Sequence, residues 1–172
     1  QKGVCSIMHR DLLPPRTATI NALWAFKIKL FPSGEINKFK ARLCARGDQQ
    51  KEHIEIDYYS PVVSWTTVRL LFCLKLIHGW EGRQIDYVNA FCQAPLDEPV
   101  YMNIPRGMHI QNNNKRDNNN NYVLKLNKSL YGLRQSSKTW FQHLKKGLLA
   151  RHFTQSKLDP CLFYNDGLIL AT

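Results

Sequence analysis

A chain of 172 residues with 44% apolar and 11% aromatic residues can bury a core, which excludes a disordered chain and suits one domain, or one and part of a second. Its 24 Lys+Arg stand against 13 Asp+Glu, a formal charge of +11 that points to a polyanionic partner, nucleic acid ahead of an anionic membrane surface. Five cysteines (Cys5, Cys44, Cys73, Cys92, Cys161), odd in number and without a CxxC pair, argue against a disulfide framework or a zinc site, and no apolar run reaches the ~18 residues of a membrane span.

The first residues, QKGVCSIMHRDLLPP, lack the apolar core of a signal peptide and an initiator Met, and read as cut from a longer chain. Residues 1–19 carry Pro14 and Pro15 and are expected to be an irregular lead-in. In residues 22–31, ALWAFKIKLF, Trp24, Phe26, Ile28 and Leu30 alternate with Ala25, Lys27 and Lys29, a strand with one apolar and one basic face. Pro32, Ser33 and Gly34 supply a turn, and EINKFKARLCA alternates again, with Ile36 on one face and Lys38, Lys40 and Arg42 on the other. The resulting hairpin carries Lys27, Lys29, Lys38, Lys40 and Arg42 on one side, with Arg46 at its margin. A solvated edge hairpin would tolerate such a face, but like charges opposed across strands repel, and a bound phosphate relieves that cost.

Residues 47–63 form a polar loop ending in Ser60 and Pro61. SWTTVRLLFCLKLIHG then predicts a helix with Ser64 as N-cap, Val68, Leu71, Phe72 and Lys75 at helical spacing and Gly79 as C-cap; Trp65 and the leucines are expected in the core. GRQIDYV, VYMNI and YVLKL read as three short strands. The Asn-rich tract over 109–121 has no apolar content to pack and reads as a long disordered loop. Leu130, Tyr131 and Gly132 belong to a turn, after which Ser136 or Ser137 caps a helix with Trp140, Leu144 and Leu148 on one face. The stretch DPCLFYNDGLILAT reads as a hairpin about Asn165, Asp166 and Gly167. The order predicts an α+β fold, helices packed on one face of an antiparallel sheet.

Asp86 ends the short segment Gln84-Ile85 and precedes a small-residue turn and Phe91. A carboxylate there either caps the turn from Val88 to Cys92 or serves as a hard oxygen ligand for magnesium, which takes few protein carboxylates when phosphates supply the rest. A two-metal phosphoryl-transfer site would need at least a second carboxylate nearby.

Six blocks in order, FKIKLFPSGEINKFKARLCARGDQQ, DYYSPVVSWTTVRLL, QIDYVNAF, LDEPVYMNIPRGM, KLNKSLYGLRQSSKTW and DPCLFY, resemble the reverse transcriptase of copia-type (Pseudoviridae) retrotransposons. The resemblance spans roughly residues 20–172 and implies the fingers and part of the palm of an RNA-directed DNA polymerase. It sets Asp86 on the first catalytic, metal-binding aspartate and Phe91 on the aromatic that hinders a ribose 2′-hydroxyl. Gln135 then lines the nucleotide pocket, Tyr131 and Gly132 shape the template side, and Lys40 and Arg42 are both candidates for triphosphate contact. The implied cofactor is Mg2+, with Mn2+ as a substitute. The implied partners are an RNA or DNA template with its primer, dNTPs and the remainder of a polyprotein, with no membrane. The implied location is a cytoplasmic or nuclear retrotransposon particle, not a secreted one. SSKTW stands where the family has an APRAW-like run, Asp48 where an aromatic is common, and the family's Tyr-x-Asp-Asp motif is not found. The expectation is therefore a polymerase piece inactive by itself; the alternative is a non-catalytic, basic nucleic-acid-binding remnant.

Overall fold

The computed structural model describes residues 3–50, 58–110 and 119–172. The chain opens with strand β1 (Cys5–His9), a 3-10 turn at Arg10–Leu12 and the two-residue β2 (Thr19–Ile20). The lead-in is thus not irregular throughout. Edge strand β1 pairs antiparallel with β6 (Tyr122–Lys128), from Cys5 opposite Leu126 to His9 opposite Tyr122. Such a strand is held by a neighbour's backbone and needs little apolar pattern of its own, so Pro14 and Pro15 fall in the connection after it.

Next comes the expected hairpin, β3 (Ala22–Leu30) and β4 (Ile36–Ala45), with Gly34 at φ 88° in its turn. Strict alternation would put Ile36 beside Lys38, but the register shifts between Lys29 and Leu30, so Leu30 faces Ile36. That irregularity returns Ile36 to the apolar side.

Helix α1 (Trp65–His78) has the expected caps: the Ser64 side chain accepts from the Thr67 amide at 3.0 Å, and Gly79 turns left-handed at φ 65°. It is not the packing helix expected. None of its residues is buried, and Trp65 is 75% exposed. Apolar side chains run all round α1, so no single stripe directs it onto a core. Residues 82–88, expected as a strand, have no regular structure. A 3-10 turn at Ala90–Gln93 follows, led by Asn89 at φ 51°.

Strand β5 (Pro95–Asn103) and β6 complete a sheet of order β1-β6-β5-β2. All its pairs are antiparallel except β2 with β5, where Thr19 and Ile20 run parallel to Tyr101 and Met102, so the sheet is mixed. In β6 the adjacent Val123 and Leu124 are both buried, which means that both faces of this central strand are covered. The main core joins Met102, Leu124 and Leu126 to Ile20, Ala45, Leu130 and Leu133, tying the sheet to the hairpin root and the loop after β6. Most of the Asn-rich tract, residues 111–118, lies outside the described residues; Asn119–Asn121 form a 3-10 turn, and the Asn119 side chain donates to Met108 O.

Helix α2 (Ser136–Leu149) buries Leu148 on the expected face. Neither serine caps it in the expected way: Gln135 is the N-cap, and the buried Ser136 hydroxyl bonds to Ser129 Oγ and Leu130 O. Short β7 (Thr154–Gln155) joins the closing hairpin, β8 (Leu162–Asn165) and β9 (Leu168–Ala171), whose turn uses Gly167 at φ 136°. The molecule is a mixture of sheets and two helices, of which α1 buries none of its residues.

Candidate functional site

Register fixes what the β3–β4 hairpin presents. Lys27 faces Lys40, Lys29 faces Lys38 and Ala25 faces Arg42, so five cations share one side. Trp24, Phe26 and Ile28 occupy the other with Leu43, Ala41 and Phe39. The crowding is electrostatically costly: Arg42 first, then slight desolvation, Lys29 and Lys38, pull the Lys40 ammonium below its ordinary pKa. Asp86 acts on Lys40 in the opposite sense, which brings that exposed carboxylate within electrostatic range of the basic face. Arg46, expected at the margin, is taken up by Asp48, with contacts of 3.1 and 2.6 Å; the hydrogen bond from Arg46 is also what most lowers the Asp48 carboxyl.

The hairpin root is clasped by the loop after β6. Ala45 N donates to Tyr131 O at 2.7 Å, and Gly47 N donates to Gly132 O at 3.1 Å. Both glycines are required by this approach. Gly132 sits at φ 89°, and a Cβ on it would fall 2.1 Å from Ala45 O; a Cβ on Gly47 would fall 2.1 Å from Gly132 O.

The clasp sets three side chains in a row. The Arg42 guanidinium lies 5.8 Å from the Tyr131 ring centroid, and Tyr131 meets Phe91 edge-on at 4.7 Å. On the far side of the same loop, Gln50 Nε2 donates to Gln135 Oε1 at 3.1 Å while Gln50 Oε1 accepts from Arg134 N at 3.0 Å. A cationic strand face, an aromatic pair and an oriented amide thus gather around one loop.

The family model described as Reverse transcriptase (RNA-dependent DNA polymerase) matches residues 10–170. The chain belongs to the reverse transcriptase family. It is similar to Retrovirus-related Pol polyproteins of copia-type transposons: that from RE1 of Arabidopsis thaliana is 35% identical across 89% of this chain, and that from RE2 of the same plant 34% across 87%. The polyprotein from TNT 1-94 of Nicotiana tabacum is 31% identical across 88%. The chain spans about a tenth of each relative's length, 10%, 10% and 11%. No solved structure matches it significantly.

Of the residues singled out in this reverse transcriptase sequence, the structure brings Arg42, Tyr131 and Phe91 into contact and Asp86 into the field of Lys40. Gln135 is held on the Gln50 side of the loop, with no contact recorded to that row. Gly132 has its task in the clasp. Among the described residues no three His, Cys, Asp or Glu side chains gather. Reasoning from sequence missed Gly47, Gln49, Gln50 and Asp159. Gln49 Oε1 accepts from Asn21 N at 2.7 Å, fastening the hairpin's two ends. The signals available were a glycine just past an apolar strand and a Gln pair in ARGDQQ, and an Asp-Pro before a strand.

Proposed function

We propose that this chain is the fingers and part of the palm of an RNA-directed DNA polymerase within a retrotransposon polyprotein. Its substrates are dNTPs, its partners a primer–template and the rest of the polyprotein. The observation that carries the reading is the joining of the five-cation hairpin face to the Arg42–Tyr131–Phe91 row around one loop, with the family match that sets Asp86 on the catalytic aspartate. Phosphoryl transfer is mainly positioning and charge neutralisation, and these groups are of the kind it uses. Lys40 and Arg42 meet the triphosphate, Phe91 faces the sugar, and Gln135 borders the nucleotide. The depressed Lys40 is the cation that gains most from an anion, because a triphosphate would offset its repulsion from Arg42.

The cofactor of this reading is Mg2+, replaceable by Mn2+, and Asp86 is the hard oxygen donor this chain would contribute. The other carboxylate ligands of this reading are those of the family's Tyr-x-Asp-Asp motif, and without them the chain is expected to be inactive. Action inside a cytoplasmic particle is consistent with the polyprotein reading. A second reading is a basic nucleic-acid-binding remnant without catalysis, for which the five-cation hairpin face by itself suffices.

Primer extension decides between them. In a chain lengthened to carry the family's Tyr-x-Asp-Asp motif, Asp86→Asn abolishes nucleotide incorporation and leaves primer–template affinity nearly unchanged. Incorporation that survives Asp86→Asn rules out the catalytic role, and loss of folding would show that Asp86 serves as a turn cap.

A further inference from the structure

We propose that Tyr131 is a positioning residue for sugar selection, its ring setting the angle of the Phe91 ring while the Arg42 guanidinium restrains Tyr131 in turn. This rests on the reading of Phe91 as the group that faces the incoming sugar, and deepens it.

Tyr131 has two contacts: Phe91 edge-on at 4.7 Å and the Arg42 guanidinium at 5.8 Å from the ring centroid. An edge-on aromatic pair has a preferred geometry, so the orientation of one ring constrains the other. A cation over the ring adds a second electrostatic restraint. The backbone beneath is fixed independently. Tyr131 O accepts from Ala45 N at 2.7 Å, on the same strand that carries Arg42, and the glycine pair next to it lets the two backbones meet closely. The turn bearing Phe91 is anchored too, since Ser129 N donates to Ala94 O at 2.8 Å. Phe91 and Arg42 are therefore fixed through their backbones and meet through the Tyr131 ring. A strand that shifted on binding phosphate would be felt at the sugar-facing ring through this one side chain.

A chain lengthened to carry the family's Tyr-x-Asp-Asp motif is held on a primer–template duplex in Mg2+ buffer, its primer ending in a dideoxynucleotide so that nucleotide binds at equilibrium without being incorporated. Competition gives the affinity ratio for dATP over ATP opposite a templating thymine. The wild type prefers dATP; Tyr131→Ala lowers the preference by about three- to ten-fold, as expected for loss of an aromatic pair, and Tyr131→Phe restores it. The truncation leaves the backbone clasp intact, but should Tyr131→Ala fail to fold, Tyr131→Leu keeps the bulk without the ring and carries the test. A folded ring-less variant with the wild-type ratio overturns the positioning role and leaves the site reading standing. A wild type without preference overturns the site reading, and this inference with it.

Discussion

Asp159 accepts hydrogen bonds from two separated parts of the chain: Ser64 N at 3.2 Å and Thr67 Oγ1 at 2.5 Å at the start of α1, and Cys161 N at 2.9 Å just before β8. The Thr67 donor leads the causes that hold its carboxyl below the ordinary range, with the Cys161 and Ser64 amides adding to it against burial. A depressed carboxylate stabilises the fold fully above its ordinary pKa, and that contribution is lost as pH falls through the lowered value. Asp159→Ala leaves these donors without their acceptor and is expected to cost about 2 kcal/mol at neutral pH. Thermal melts from about pH 6 down to pH 3 should show the gap between wild type and variant narrowing as acid protonates the group; a constant gap would contradict the assignment. This residue was not legible as functional in the sequence, because its donors at Ser64 and Thr67 lie 95 and 92 positions away. Gln50 was hidden for the same reason, its partners Arg134 and Gln135 lying 84 and 85 positions off. Asp86 and Phe91 could be singled out because the family motif that carries them is local, and the roles proposed for them rest on that motif.

Among the elements, those whose signal is also local came through intact. The β3–β4 and β8–β9 hairpins follow from alternation around Gly-containing turns, and both helices follow from spacing. Those that depend on a distant neighbour did not. β1 exists because β6 receives it, and 82–88 stays irregular because no strand among the described residues pairs with it. The exposure of α1 was equally out of reach, since a count of apolar residues does not say where they face. The hairpin pays in stability for its charge, with Lys27 opposed to Lys40 and Lys29 to Lys38. Lys38→Glu turns one opposed like pair into an opposite pair and should raise the melting temperature slightly, by a fraction of a kcal/mol, roughly 0.2–1. The same change should weaken binding to a primer–template duplex. A variant that gained both stability and affinity would show that the face does not meet phosphate.

For the whole molecule the question is whether its charge acts as a diffuse cloud or through one face. The formal charge is +11, yet the face built by the β3–β4 register holds five of the cations. Arg46 adds little there because Asp48 is bonded to it. The two pictures differ in a measurable quantity. Each phosphate neutralised on duplex DNA contributes about 0.9 to the fall of log affinity with log salt, so binding through the hairpin face gives a slope no steeper than about −4.5. A diffuse cloud using the full excess would approach roughly −10 by the same rule. Titrating the chain onto one duplex between about 50 and 200 mM salt separates them, because affinity then falls by about 500-fold at most in the first case and by nearly a million-fold in the second. Replacing Lys29 by Gln should flatten the slope by about 0.9 if that lysine meets a phosphate. An unchanged slope in that variant, with a steep one in the wild type, would move the nucleic-acid contact off the hairpin and onto the rest of the surface.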